Sequence, residues 1–249
     1  MNATTAKLQG KTVMVVGASS GIGRAVAQNV SQQGANVILS SRSADKLEAI
    51  RNTLSAPENG KVLPFDYRNL EEVRAALAKV EQIDHLVIPA VADENAKRGR
   101  FVELSREVMY ASFDKFWGQV YVSQAAAPKM PAGGSITLFS SLSAFRPPQP
   151  PSGLSVMNAV HAAVATLGQS LALELAPIRV NVMVPGVVLT NVWAPQQRES
   201  LAKWMESSLP SKHAGQPEDV AHAVLYLMSN PYATGTLHFI DGGLQLLGS

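Results

Sequence analysis

The 249-residue chain contains no cysteine, which excludes disulfides, thiolate metal sites and cysteine nucleophiles. Charge of one sign is also lacking: 21 Lys and Arg stand against 19 Asp and Glu, and no dense basic block interrupts the pattern. That balance argues against nucleic acid as the main partner. The five histidines form neither an H-x-x-x-H nor an H-E-x-x-H pair, so no metal site is expected. No apolar run approaches the length of a membrane span, and the opening residues MNATTAKLQGK are polar, without the apolar core of a secretory signal. Together these absences predict a cytoplasmic protein with no membrane partner.

What is present is apolar residue content of 46%, spread along the whole chain, enough for a sizeable core. Short apolar, β-rich runs begin at Thr12, Asn36, Lys61, His85, Ser135, Arg179 and Thr236. Their continuous apolar character suits strands covered on both faces. Helical patterns lie between them, over Gly21–Gln33, Ala44–Thr53, Leu70–Lys79, Ser105–Met130, Leu154–Leu175 and Pro217–Ser229. Pro217 followed by Glu218 and Asp219 is a good helix start. Strands alternating with helices predict an α/β fold, a Rossmann-type doubly wound parallel sheet of about seven strands in a three-layer α/β/α arrangement. The Pro-rich stretch Arg146–Gly153 is too short for a domain linker, so one domain over residues 1–249 is expected.

Directly after the first strand comes Gly17-Ala18-Ser19-Ser20-Gly21-Ile22-Gly23, opening a helix. Glycines at such a junction let the backbone turn tightly and approach a pyrophosphate, whose charge meets the helix N-terminus. The spacing Gly-x-x-x-Gly-x-Gly resembles that of the short-chain dehydrogenase/reductase family, and the resemblance covers nearly the whole chain. Asp66, after the third strand, matches the family's adenine-contacting acid. Pro185-Gly186, with Val188 and Thr190, resembles the segment that contacts the nicotinamide carboxamide. Gly215-Gln216-Pro217-Glu218-Asp219-Val220-Ala221 and Asp241-Gly242-Gly243 match its C-terminal signatures. Residues 187–215 fall where the family carries a substrate lid; Trp193 there would either line a pocket or anchor the lid.

The end of the second strand discriminates between the nicotinamide cofactors. A carboxylate there bonds the ribose 2′-OH and repels a 2′-phosphate. This chain instead reads Leu39-Ser40-Ser41-Arg42. Arg42 offers a permanently charged donor fork and Ser41 a hydroxyl, so NADP(H) is the expected cofactor; the bland reading is a solvated surface arginine.

The resemblance implies carbonyl reduction by a Tyr acid with a Lys four residues later on the same helical face. No Tyr-x-x-x-Lys occurs in this chain. The family register puts Met157 at the Tyr position and His161 at the Lys position. Met cannot donate a proton, which disables the ordinary route. Ser141 matches the carbonyl-orienting serine, and Lys115 stands at the position of the relay Asn. His161 then reads either as a residue of a decayed site or as an acid. Lys115 reads as a surface cation or as an inward one, serving an anionic group.

Three functions follow from this pattern. One is an NADP(H)-dependent reductase of a small substrate that needs no Tyr acid, such as an imine or an activated alkene. Another is a non-redox cyclase, isomerase or dehydratase on the same scaffold. The last is a regulatory protein that binds NADP(H) without turnover. By the same resemblance, the two long helices would form a homodimer or homotetramer through faces bearing Ala162, Ala165, Leu171 and Ala172.

Overall fold

The computed structural model describes residues 8–91, 95–148 and 152–247. Asp93 and Glu94 of a mixed-charge loop, the middle of the Pro-rich stretch, and the first seven residues lie outside the described residues. The elements run β1 (Thr12–Val16), α1 (Gly21–Gln32), β2 (Asn36–Ser40), α2 (Ala44–Arg51), β3 (Gly60–Val62), α3 (Leu70–Leu77) and β4 (His85–Val87). They continue with α4 (Arg106–Ser112), α5 (Asp114–Ala126), β5 (Ser135–Phe139), α6 (Ser155–Glu174), β6 (Arg179–Pro185), α7 (Pro195–Ser208), α8 (Pro217–Ser229) and β7 (Leu237–Ile240).

All seven strands are parallel, in the order β3-β2-β1-β4-β5-β6-β7. Alternation along β1 shows how one strand feeds two cores. Val13 and Val15 face the layer of α1, α2 and α8, where Val26, Leu47 and Val224 are buried. Met14 and Val16 face the layer of α3, α5 and α6, where Val73, Val122 and Val164 are buried. The expected three-layer doubly wound sheet is the observed one.

Three expectations change in detail. The helix expected over Ser105–Met130 is two helices and a final 3-10 turn, Ala127–Lys129, that contains Pro128. The break falls at Phe113, whose N–H reaches back only three residues, to Tyr110. Just before it the Ser112 hydroxyl donates to the Val108 carbonyl, a local bond that bends helices. Helix α7 arises in the segment 187–215. Proline at its first position and a bond from the Ala194 N–H to Gln197 Oε1 start it. Only Met205 is buried on it, so it has almost no apolar stripe. Finally, Ala165 and Ala172 of α6 are buried in the chain's own fold, while Ala162 is exposed, so the first two belong to the core and not to an outer face.

Among the described residues, α6 alone is long and apolar enough, with a mean hydropathy of 1.3, to cross a membrane by length and composition. Here it packs on β5 and β6. A Cβ on Gly168 would stand 2.2 Å from Val182 Cγ2, so glycine is what lets helix and strand meet there. The lower edge of the sheet is tied by polar bonds. Buried Arg179, opening β6, donates to the carbonyls of Leu227, Met228 and Ala233, which closes the C-terminal end of α8.

His85 is buried in β4 with its Nδ1 2.8 Å from Ser135 Oγ on β5. Burial pushes its pKa down from 6.5 to about 4. Between those values the unfolded chain binds a proton that the folded chain does not, so this contribution is full above pH 6.5 and is lost as pH falls toward 4. The loss amounts to about 3 kcal/mol. Urea denaturation from neutral pH to about pH 4.5 should show this decline, and His85→Gln should flatten it; identical slopes for both proteins would contradict the assignment.

Candidate active site

Strands β1 and β4 are neighbours although α1, β2, α2, β3 and α3 intervene in sequence, so the chain direction reverses there and leaves a crevice at the carboxyl edge. The Gly17–Gly23 turn occupies that place. Gly17 has φ of +102°, and a Cβ on it would lie 2.8 Å from both the N and Cα of Ala90, just past β4. A Cβ on Gly23 would lie 2.1 Å from the Gly17 carbonyl oxygen. The N–H groups of Gly17 and Ala18 donate to the Ser40 carbonyl at 2.7 and 3.1 Å, drawing the turn against the end of β2.

Ser20 caps α1 in an extended conformation, with no side-chain capping bond and no acid in the first turn. Ser19 is half-buried beside it, and Ile22 packs into the core. The first N–H groups of α1 thus have no capping side chain, the state in which a helix start accepts an anion. Arg24 stands in this first turn, with its Nε buried and without a hydrogen-bond partner among the described residues. A cation there opposes the helix dipole and suits a site meant for an anion. The sequence reading missed it, although a first-turn arginine behind a glycine turn is a visible signal.

At the exit of β2, Ser41 Oγ is buried without a hydrogen-bond partner among the described residues, and Arg42 is exposed. The Phe65 N–H donates to the Ser41 carbonyl at 3.1 Å, which brings Asp66 alongside. Arg68 also belongs to this corner and was missed; an arginine two residues past an acid is too common a pattern to single out. Its Nε lies 2.9 and 3.1 Å from the two Asp66 carboxylate oxygens. That bond holds the Asp66 carboxyl below its ordinary value, against the opposing effect of burial and with help from Arg42. Asp66 therefore stands beside the cradle with both oxygens already engaged. The glycine cradle, the uncapped helix start, the orphaned Ser41 hydroxyl and the Arg42 fork fit a phosphorylated dinucleotide, with pyrophosphate on the helix and a ribose phosphate at Ser41 and Arg42.

On the far side, Pro185 ends β6, and Gly186 passes so close to Asp241 that a Cβ on it would lie 2.8 Å from the Asp241 Cα. Val188 is buried. Thr190 Cγ2 lies 3.2 Å from where a Gly21 Cβ would stand, so the segment from β6 reaches back over the glycine turn. A bond of 2.9 Å from the Leu189 N–H to the Gly215 carbonyl closes the base of the expected lid. Trp193 donates its Nε1–H to the Val188 carbonyl at 3.0 Å, so its indole anchors this segment. It also lines a cavity of about 390 Å³ with Gln196 and Leu201 of α7. His213 pairs with Asp219 at the start of α8, 2.7 Å apart.

Two of the expected catalytic positions, Lys115 and His161, meet between α5 and α6. Two anchors at the end of β5 set the helices that carry them. Gln119 of α5 donates to the Phe139 carbonyl and accepts from the Phe139 N–H at 3.2 and 2.8 Å. The Ser140 hydroxyl donates to the His161 carbonyl at 2.8 Å. One turn before Gln119, the Lys115 side chain then reaches His161 of α6, with Nζ 3.0 Å from Nε2. Lys115 and His161 are both buried, and Met157 is wholly so. The Ser141 hydroxyl caps the Leu142–Ala144 turn and lies 3.1 Å from Ser143 Oγ. No group of metal-ligating side chains occurs among the described residues.

A family model described as enoyl-(acyl carrier protein) reductase matches residues 17–245. Dehydrogenase/reductase SDR family member 4 of Homo sapiens is 31% identical over 252 residues, covering 95% of this chain and 88% of its own. Among solved structures, the MalC reductase/Diels-Alderase from Malbranchea aurantiaca superposes with a TM-score of 0.86 at 26% identity, covering 96% of this chain and 97% of its own. L-sorbose reductase from Gluconobacter frateurii, solved with NADPH and L-sorbose, does so with a TM-score of 0.86 at 25% identity, over 98% of this chain and 100% of its own.

Gln119→Leu leaves the Phe139 N–H and C=O buried and unpaired. Each lost partner costs about 1–3 kcal/mol, so the urea midpoint should fall clearly; a change below about 0.5 kcal/mol, typical of a surface substitution, would show that Gln119 does not hold α5.

Proposed function

Because the chain belongs to the short-chain dehydrogenase/reductase family, we propose that it is an NADP(H)-dependent reductase of a small organic substrate that needs no tyrosine acid, such as an imine or an activated alkene. The observation that carries the cofactor choice is the exit of β2, where a buried Ser41 hydroxyl without a partner among the described residues adjoins Arg42 and no carboxylate replaces them. A 2′-phosphate would satisfy both groups. The NADPH complex of L-sorbose reductase supports the same choice.

The bound cofactor would supply hydride. What this chain supplies is unlike the usual proton donor. Met157 offers neither a proton nor a hydrogen bond to an oxyanion. An iminium acceptor becomes a neutral amine on receiving hydride, so no alkoxide has to be protonated. An activated alkene leaves negative charge on its activating group, which the Lys115 ammonium would hold while His161 takes or returns a proton. Val188 and Thr190 would hold the nicotinamide end, and residues 187–215 would cover the substrate as a lid. The Lys115–His161 contact equally suits acid–base work without redox change, the second reading. Reduced-nicotinamide absorbance separates the two: reductase activity consumes NADPH with the product, whereas a cyclase or isomerase turns over with absorbance unchanged. Tight NADPH binding with no turnover of imines, enones or ketones would favour a sensor.

Assembly into a homodimer or homotetramer belongs to this proposal. Exposed Tyr110 and Trp117 of α4 and α5, with the exposed small residue Ala162 of α6, support it as a face suited to close packing.

Arg42→Ala is expected to weaken NADPH binding at least about tenfold, as loss of a charge-assisted phosphate contact does, and to leave NADH nearly unaffected. Equal losses for the two nucleotides would overturn the 2′-phosphate assignment.

A further inference from the structure

A second cavity, of about 600 Å³, opens at the same carboxyl edge of the sheet as the glycine turn, between the loops that follow β4 and β5. Arg98 and Arg100 line it from the first loop, Pro147 and Pro148 from the second, and Leu154 and Asn158 from the start of α6. Asn158 directly follows Met157, so the cavity borders the helical turn that carries the replaced catalytic position.

We propose that this cavity is the substrate's distal subsite and that it binds a carboxylate, so that the substrate is an organic acid with an apolar body. The proposal rests on the reductase reading for the reaction that follows binding.

The two arginines sit on either side of Gly99, whose N–H donates to the Gly153 carbonyl at 3.0 Å. Gly153 has φ of +71°, and a Cβ there would lie 3.0 Å from both the N and the O of Gly99. The loops are thus stitched backbone to backbone, and that stitch places the main chain of both arginines at the rim. No acidic residue lines the cavity among the described residues. Arg100 is held by Glu103 at 2.7 Å on an exposed surface, a pairing worth little in water, and Arg98 is the principal donor. Planar guanidinium groups match a carboxylate bidentately.

A further observation supports an anionic ligand here: the cavity lies where α6 begins, and its cap residue Leu154 gives the first N–H groups no side-chain acceptor. Proline and leucine walls between these polar points suit an apolar body.

The test is calorimetric titration of the whole protein, without nucleotide, with trans-cinnamate and its neutral analogue cinnamamide. Cinnamate should bind at least about tenfold more tightly, the size of one charge-assisted contact. Arg98→Gln should remove most of that preference and Arg98→Gln with Arg100→Gln all of it, cinnamamide binding being unchanged. Both residues are exposed, so the variants should fold; denaturation midpoints check this. Equal binding of the two probes, a preference that survives the double substitution, or no cinnamate binding would each overturn the proposal. Since nucleotide is absent from these titrations, a failure of NADPH to bind in a separate titration would count against the reductase reading alone.

Discussion

The sheet reverses its order between β1 and β4, and at that point three stretches of backbone come closer than any side chain permits. Gly17 touches the backbone at Ala90, and Gly23 touches the Gly17 carbonyl. No other residue type satisfies both contacts, because even a single methyl group overlaps main-chain atoms that cannot move aside. The consequence is a row of N–H groups at the start of α1 without a capping side chain, at the crevice where the two halves of the fold diverge. The remaining nucleotide-side features are arranged around that row. Ser41 and Arg42 leave the neighbouring strand, Thr190 returns from β6, and Arg24 adds a cation at the helix start.

The other half of the site is built by the same means from different residues. The end of β5 holds α5 through Gln119 and α6 through Ser140. These bonds act on backbone and helix position. A lysine and a histidine, Lys115 and His161, meet between these two helices. Burying an ammonium is costly unless it is paired, and the imidazole nitrogen supplies a bond without adding charge.

Much of this was legible in the sequence, for reasons tied to particular residues. Buried parallel strands such as Thr12–Val16 read as apolar runs, and the glycine turn is local, so both are visible without tertiary information. The positions of Met157, His161 and Lys115 followed from the family register, but their contact did not, because it joins residues 46 apart across two helices. Helix α7 escaped because it buries one side chain and so leaves almost no periodic signal. The break at Phe113 depends on a serine bonding to its own helix, which composition does not reveal. Ala165 and Ala172 look like interface residues by size alone, yet their phase on α6 turns them inward. Arg68 became part of the nucleotide corner only once its bond to Asp66 was seen.

Discrimination for NADP(H) by the exit of β2 underlies every further step, and it is tested most directly on the unaltered protein. The three tryptophans provide a fluorescence signal for titration with NADPH and NADH at matched ionic strength. Saturation at micromolar NADPH, with NADH at least about tenfold weaker, is the expected result. Equal affinities, or no binding of NADPH, would contradict the assignment of Ser41 and Arg42.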